Sequence, residues 1–593
     1  MEEKIMADNL IGSDEFRGYV LGTEQELARP LDFSVFVAPG RYLQLDDVVH
    51  VQTILPGGEI IDIYGVVDEV IAKHEGVQLT SDVALVREGI LPASSVMSAH
   101  VSVTRVEPEI YIPPTPGDVV RIADEESREI ALFFDGMDKR LPLGLSRGEI
   151  QGALPVYGNI EFINGKKGAH VNISGISGVA TKTSYATYLL YALFEGEVLG
   201  DDASSSTALI FNVKDEDLLF LDCPNRKLIE DKKIKDQYDK LGLPAGEFKS
   251  VGFYAPLRRD SKAKPFPDTG SRSENVNAFF WSLHEFCESG YLQFLFVNAD
   301  TDQTQISLLI DNVSDHLRQA ARKSSSESMQ IDGVAIKTFD ELVEQIDLHL
   351  FNFQDDLHDI EQLPSWAGRG SGAASTGTIR AFMRRLRSIV RHVGYLIREP
   401  HFEKESGDAN VHRIERRHQV NVIDLHKLHD RAQRFVVGVL LHELMIERES
   451  SANRSPVFVV VDELNKYAPR DGTSPIKDIL IDIAERGRSL GVILIGAQQT
   501  ASEVEHRVVG NAAFRVVGRL DGAEVERSEY RFLRTSSLRQ RATLLTPGSM
   551  LIQQTDIPVP LLVRFPHPSW ATRKSEVFSP PDKNNGRDVM ERF

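Results

Sequence analysis

Lys182-Thr183 follows a run of small residues, Ser174-Gly175-Ile176-Ser177-Gly178-Val179-Ala180-Thr181, which itself follows an apolar stretch from His170. A triphosphate needs backbone N–H groups converging at a helix start, one lysine as a point charge, and one hydroxyl for a divalent cation. Lys182 and Thr183 supply the last two. Gly175 and Gly178 are spaced like the first and fourth positions of such a loop, which implies one extra residue before the lysine. Thr181 carries a Cβ where backbone normally lies against phosphate. A second stretch, Pro456–Val461, is wholly apolar and closes on Asp462-Glu463. Carboxylates there stand at the C-terminal edge of a buried parallel strand. Asp462 is placed to hold a metal and its waters, and Glu463 to polarise an attacking water. Either stretch alone fits a bland alternative: a glycine-rich turn without ligand, or solvated residues after a core strand. Their occurrence together, in this order, favours phosphate chemistry.

A third segment reads as a helix over 479–490, ending in Glu485-Arg486-Gly487-Arg488, then a strand over 492–497 closed by Gln498-Gln499-Thr500. An amide at that strand end can sense a γ-phosphate or orient water. Arg486 and Arg488 are candidates for neutralising transition-state charge, in cis or across a subunit boundary, or else for surface ion pairs.

The elements that must position these residues are α/β in style. From about residue 155, apolar strands alternate with helical patterns, the mark of a parallel sheet. The helix after the loop spans 183–194, and 208–213 and 292–298 read as further strands. Residues 1–150 carry short alternating strands (49–55, 59–67, 100–106, 118–122) with Gly/Pro turns, which predicts a small β-barrel without helices. The stretch 274–400 reads as an inserted helical region. There Thr338 and Glu341 fit a capping box. The core is then 151–273 plus 401–570, with a loose tail at 571–593. Residues 366–377, rich in Gly, Ala and Ser, read as a linker or mobile loop. The helix predicted over 379–398 carries Arg380, Arg384, Arg385, Arg387, Arg391 and Arg398, no acidic residue, and one apolar stripe from Ile379 to Val393. It contacts phosphates or an acidic neighbour, or is a solvated face.

The 593 residues are enough for several domains. With 41% hydrophobic and 26% charged residues, the chain is neither disordered nor collagen-like. No apolar run reaches the roughly 18 residues of a membrane span, and the acidic start MEEKIMADNL is no secretory signal. Two cysteines, Cys223 and Cys287, are too few for a disulfide scaffold, which points to a reducing cytoplasm. A net charge of −20 excludes a protein that simply coats nucleic acid, so any such contact must be a local basic lining.

In the stretches 174–184 (SGISGVATKTS), 457–469 (VFVVVDELNKYAP) and 483–500 (IAERGRSLGVILIGAQQT), the chain resembles the HerA branch of the HerA–FtsK superfamily of hexameric motors. The N-terminal barrel and the closing stretch 545–564 resemble that branch as well. The resemblance implies a RecA-like P-loop ATPase core within a homohexameric ring. Such a ring hydrolyses ATP with Mg²⁺ between subunits and draws double-stranded DNA through its pore as a translocase or helicase. It implies that Gly175, Ser177, Gly178, Val179, Ala180, Thr181, Lys182, Thr183 and Ser184 cradle the nucleotide. Thr183 and Asp462 would then hold the metal, and Glu463, Arg488, Gln498 and Arg486 serve catalysis. It implies, too, an effector partner: a NurA-type nuclease in DNA end resection, or a sirtuin-like NADase or another nuclease in bacterial antiphage defence, docked on the barrel or the loop after it. Here the sequence departs from the family at Asn212-Val213-Lys214-Asp215-Glu216, where only Asp215 or Glu216 can supply the usual acid. A hexameric ATP-binding scaffold that gates an effector, with little motor action, is the second reading, and a protein-remodelling ATPase the third.

Overall fold

The computed structural model describes residues 14–578, apart from 25, 78, 148–151, 177–181, 215–216, 262–263, 273, 297–302, 327, 352–364, 369–373 and 400–411. Strands β1 (Phe16–Val20), β2 (Asp32–Val37), β3 (Val48–Ile54), β4 (Ile60–His74), β5 (Ser95–Glu107) and β6 (Val119–Ile122) close into a barrel in the order β1-β2-β5-β4-β3-β6. The alternation seen in sequence becomes an inner and an outer face. Val35, Val49, Ile61, Ile63, Val101 and Val120 fill the interior, all at most 1% exposed. Gly65 sits at a register shift between β4 and β5, where a Cβ would meet Val101 and the Ser102 carbonyl.

The barrel ends earlier than expected and is not free of helix. Short helices form at Asp82–Arg87 and Glu125–Ala131. The second is capped by Asp124, which accepts from the Ser127 N–H. Strands β7 (Arg140–Leu145) and β8 (Pro155–Asn159) belong to the large sheet: their apolar residues join its core rather than the barrel's, and β7 packs on the helix Lys182–Glu195. Arg541 binds Asp46 through two donors and ties the barrel to the core.

The large sheet also holds β9 (Val171–Ser174), β10 (Thr207–Asn212), β11 (Val251–Pro256) and β12 (Val276–Phe279). Within the helical region, β13 (Trp281–Ser282) pairs with β16 (Ile397–Arg398), and β14 (Met329–Ile331) with β15 (Val334–Ile336). The large sheet is completed by β17 (Val420–Asp424), β18 (Val457–Asp462), β19 (Val492–Gln498), β20 (Phe514–Val517), β21 (Ser549–Gln553) and β22 (Leu561–Arg564). Its order is β12-β11-β17-β10-β18-β19-β9-β20-β21-β22-β7-β8. The first eight strands run parallel and the last four antiparallel. Every residue of β9, β17, β18 and β19 is buried, as expected for strands covered on both faces. The fold is the α/β class read from the sequence, with an N-terminal barrel and a helical insertion.

Three boundaries move. β12 is the outer strand of the large sheet, so the helical region begins after it. The strand expected over 292–298 is absent from its described part: Tyr291–Leu295 is a 3₁₀ turn, its aromatic and leucine side chains packed on helix Asp430–Ser450, and 297–298 lie outside the described residues. The segment from 571 packs against the core, with Ala571 buried and its N–H on the Cys223 carbonyl. Trp570 stacks on Tyr191 at 4.5 Å. The tail from 580 lies outside the described residues.

The arginine-bearing helix spans Thr376–Val393, capped by Ser375. Ile379, Phe382, Met383, Leu386, Ile389, Val390 and Val393 are all buried, as its apolar stripe predicts. Phe382 stacks on Phe296 at 4.9 Å. Arg398 lies beyond the helix, on β16. Thr338 caps the helix Phe339–Phe351 by accepting from the Glu341 N–H. The Glu341 carboxylate reaches back to the Lys337 N–H, one residue before the cap.

Candidate active site

Strands β9 and β18 are separated only by β19, and all three end at the same edge. The helix Lys182–Glu195 starts there after β9. Its first turn therefore faces the end of β18, and the Thr183 hydroxyl donates to Asp462 Oδ2 at 2.8 Å. The structure thus brings together Lys182, Thr183, Asp462 and Glu463. Gly175 and Ser184 stand at the two ends of the loop, with the Gly175 N–H on the Gln498 carbonyl at 3.2 Å. Ser177, Gly178, Val179, Ala180 and Thr181 lie outside the described residues, as do Asp215 and Glu216.

Lys182 is 4% exposed, and its Nζ has no hydrogen-bond partner among the described residues. An ammonium in that position lacks the anion it would need to remain charged at no cost. Burial, then the charge of Lys214, push its pKa down to about 8, against the pull of Asp462 and Glu463. The Asp462 carboxylate is engaged on both oxygens. Oδ1 accepts from the Glu463 N–H at 2.8 Å, and Oδ2 from Thr183 and from Lys214 Nζ at 2.9 Å.

Glu463 has φ 56° and ψ 47°, a left-handed conformation that a non-glycine residue adopts at a cost of order 1–3 kcal/mol. The turn swings the chain from β18 into the short helix Leu464–Tyr467. The Glu463 side chain is half-buried and next to Asp462.

Gln498 is fully buried. Its Nε2 donates to Asn172 Oδ1 and Ser174 Oγ, both at 2.8 Å, so the amide clamps β19 to β9 rather than standing open at the strand end. Arg486 pairs with Asp482 at 2.5 Å and Glu449 at 2.9 Å on the surface. Arg488 donates to the carbonyls of Gly165 and Lys166 at 3.2 and 2.6 Å. Both arginines lie near the C-terminal end of helix Pro475–Leu490, which runs from the end of β18 back to the start of β19. They are therefore at the opposite edge of the sheet, roughly 20 Å from Lys182 by strand length. Within one subunit the fold does not bring them to the site.

The sequence reading missed Lys214 and the clamp partners Asn172 and Ser174. A lysine two residues past the end of β10 was the available signal, but it needed the knowledge that β10 adjoins β18. His426 is held by Asp424 at 2.9 Å and His429 caps helix Asp430–Ser450, so both are structural. No cluster of three or more metal-ligating side chains occurs among the described residues.

The group fits a phosphate chain accompanied by a hard divalent cation: one orphaned ammonium, one hydroxyl and one carboxylate at a helix start. No family model matches the chain, and a search of curated proteins finds no match. Among solved structures, the chain is similar to VirB4 of Thermoanaerobacter pseudethanolicus at 14% identity and a TM-score of 0.41, over 75% of this chain and 98% of that one. It is similar to the plasmid coupling protein TrwB, solved with ADP and Mg²⁺, at 11% identity and a TM-score of 0.40, over 72% and 90%. A smaller likeness is to the genome packaging NTPase B204 of Sulfolobus turreted icosahedral virus 2, solved with ATP-gammaS. It has 14% identity and a TM-score of 0.19, over 25% and 68%.

Two predictions follow from this geometry. Because the fold lowers the Lys182 pKa, the unfolded chain binds more protons between about pH 8 and the usual lysine range, and this group's contribution to stability rises with pH there. A bound phosphate would reverse the preference, so binding would take up a proton above pH 8. Affinity for a fluorescent ATP analogue should be flat below pH 8 and fall above it, by up to about tenfold per unit. Lys182→Arg should flatten that profile; an unchanged profile would separate the pH dependence from Lys182.

Glu463→Gln should keep nucleotide binding and slow hydrolysis by about 10²-fold or more, through lost basicity. Glu463→Gly should also be inactive but melt higher, with a gain of about 1 kcal/mol from relieved backbone strain. A melting point lower than that of Glu463→Gln would contradict the strain argument.

Proposed function

We propose that this chain is an ATP-hydrolysing, Mg²⁺-dependent motor of the HerA–FtsK type, built as a homohexameric ring that moves double-stranded DNA. The observation that carries the reading is the orphaned Lys182 ammonium beside the Thr183–Asp462 pair and Glu463. In this reading Lys182 holds phosphate, Thr183 and Asp462 hold the metal, and Glu463 polarises water. The metal supplies charge neutralisation when bound. The stretch 175–184, of which 177–181 lie outside the described residues, is assigned to the nucleotide, and Gln498 fixes the spacing of β19 and β9 beneath the site. Arg488, remote from Lys182 in its own subunit, is assigned to a neighbour's site in the ring. Arg486 is assigned to surface ion pairing.

DNA is assigned to a basic stripe. Arg380, Arg384, Arg387 and Arg391 are exposed on one face of the helix Thr376–Val393 and line a shallow groove of about 450 Å³ with Phe351. Arg387 is held by Asp347 at 2.5 Å, whereas Arg380, Arg384 and Arg391 have no acidic partner among the described residues. Arg385 is half-buried. Much of the neighbouring glycine-rich loop, also a candidate for the lining, lies outside the described residues. The effector, a nuclease or sirtuin-like NADase in antiphage defence or DNA processing, is assigned to the barrel. No helix among the described residues is long and apolar enough to cross a membrane, and a cytoplasmic location fits the free cysteines. The scaffold reading is favoured by Lys214, which occupies a carboxylate oxygen that hydrolysis needs.

ATP turnover with and without duplex DNA tests the proposal, and stimulation by DNA is expected. Changing Arg380, Arg384 and Arg391 together to Glu should abolish that stimulation, leave basal turnover intact, and lower the salt slope of DNA binding by about one unit per lost phosphate contact. An unaltered slope would remove the helix from the DNA path. In mixed rings, Arg488→Ala subunits combined with Lys182→Ala subunits should recover some turnover, because intact sites form between them. No recovery at any ratio would rule out action across the boundary.

A further inference from the structure

Asp462 presents a crowded carboxylate for a residue expected to serve a metal. Its Oδ2 accepts from Thr183 Oγ1 at 2.8 Å and from Lys214 Nζ at 2.9 Å, and its Oδ1 from the Glu463 N–H at 2.8 Å. The Asp462 side chain is 5% exposed, while that of Lys214 is 36% exposed. The two partners are therefore unequal. Thr183 is fixed by the helix start, and the Glu463 N–H by the backbone. Lys214 reaches in from solvent on a flexible four-carbon stem. It is the partner able to leave without disturbing the fold.

A second observation concerns charge. Lys182 stands beside this pair, buried and without a hydrogen-bond partner among the described residues. Two ammonium groups thus converge on one edge of the sheet, where Asp462 and Glu463 supply the carboxylates. Lys214 is bound to the carboxylate oxygen shared with Thr183, the oxygen at which a divalent cation would compete with it. An ammonium and a divalent cation repel each other at that range, so the two cannot share Asp462 Oδ2 at full strength.

We propose that Lys214 is a second cation of the phosphate site, held on Asp462 and transferred to the phosphates of a nucleoside triphosphate when its divalent cation takes the carboxylate. Lys214 keeps Asp462 from binding metal in advance and couples metal binding to the arrival of nucleotide. Hydrogen-bond partners exchange, and no covalent bond changes. The proposal rests on the nucleotide-site reading above.

The test uses the full chain with Mn²⁺ as the metal probe and a fluorescent ATP analogue as the nucleotide probe. Lys214→Gln removes the charge and retains a donor for Asp462. Without nucleotide, its Mn²⁺ affinity, read from the electron paramagnetic resonance of free Mn²⁺, should rise about tenfold over the wild type, the effect of deleting one like charge a few ångströms away. In EDTA, where no metal assists, its affinity for the analogue should fall several-fold. Lys214→Arg, which keeps the charge, should retain wild-type Mn²⁺ affinity. Equal Mn²⁺ affinity in wild type and Lys214→Gln overturns the proposal. The same change in both variants also overturns it, since it reports a disturbed fold rather than a lost charge. If the wild-type chain binds no analogue even with Mg²⁺, the nucleotide reading itself falls. If the wild type binds it and Lys214→Gln matches it in both readouts, only the role of Lys214 falls.

Discussion

Thr183 and Asp462 are 279 residues apart in the chain and 2.8 Å apart in space, and the parallel register of three buried strands sets that distance. Ala497 pairs with Ile173 across β19 and β9, and Asp462 with Ala497 across β18 and β19. A slip of one residue in either ladder would turn every side chain of the slipped strand to the other face. The buried amide of Gln498 resists such a slip. It loses its partners if β19 moves against β9, and an unpaired buried amide is costly. The clamp is thus a condition for the site even though it sits beneath it.

The same edge concentrates unfavourable features. Lys182 is buried without a partner among the described residues, and Glu463 is held in a left-handed conformation. Both cost stability, and the surrounding apolar strands supply the excess that permits them. Strain and orphaned charge thus gather at the edge proposed to bind nucleotide.

Charge is distributed on a different scale. The chain carries −20 overall, yet the helix Thr376–Val393 presents a basic stripe with no acidic residue of its own. Its opposite face is buried against the helical block through Phe382 and its neighbours, so the helix cannot rotate to hide the arginines. A rigid apolar anchor beneath a basic stripe fixes a local positive surface on a molecule that is negative overall.

The apolar periodicities determined which segments become buried strands and which become one-sided helices, because burial is local in pattern. The lysine–threonine pair at a helix start and the paired acids after an apolar strand were legible for the same reason: each is a short motif whose chemistry depends on its immediate neighbours. The termini of the barrel and helical region were not, since β7, β8 and β12 join the large sheet through pairings with distant strands. Nor was the fate of the polar residues. Gln498 at a strand end is equally able to face a ligand or a neighbouring strand, and only the approach of Asn172 and Ser174 turns it inward. Arg488 reads as a site residue in sequence, but its helix returns to the far edge of the sheet. Lys214 became part of the site only when β10 paired with β18 and brought its ammonium to Asp462. Such choices depend on which strands become neighbours, and that is decided by packing across hundreds of residues rather than by spacing along the chain.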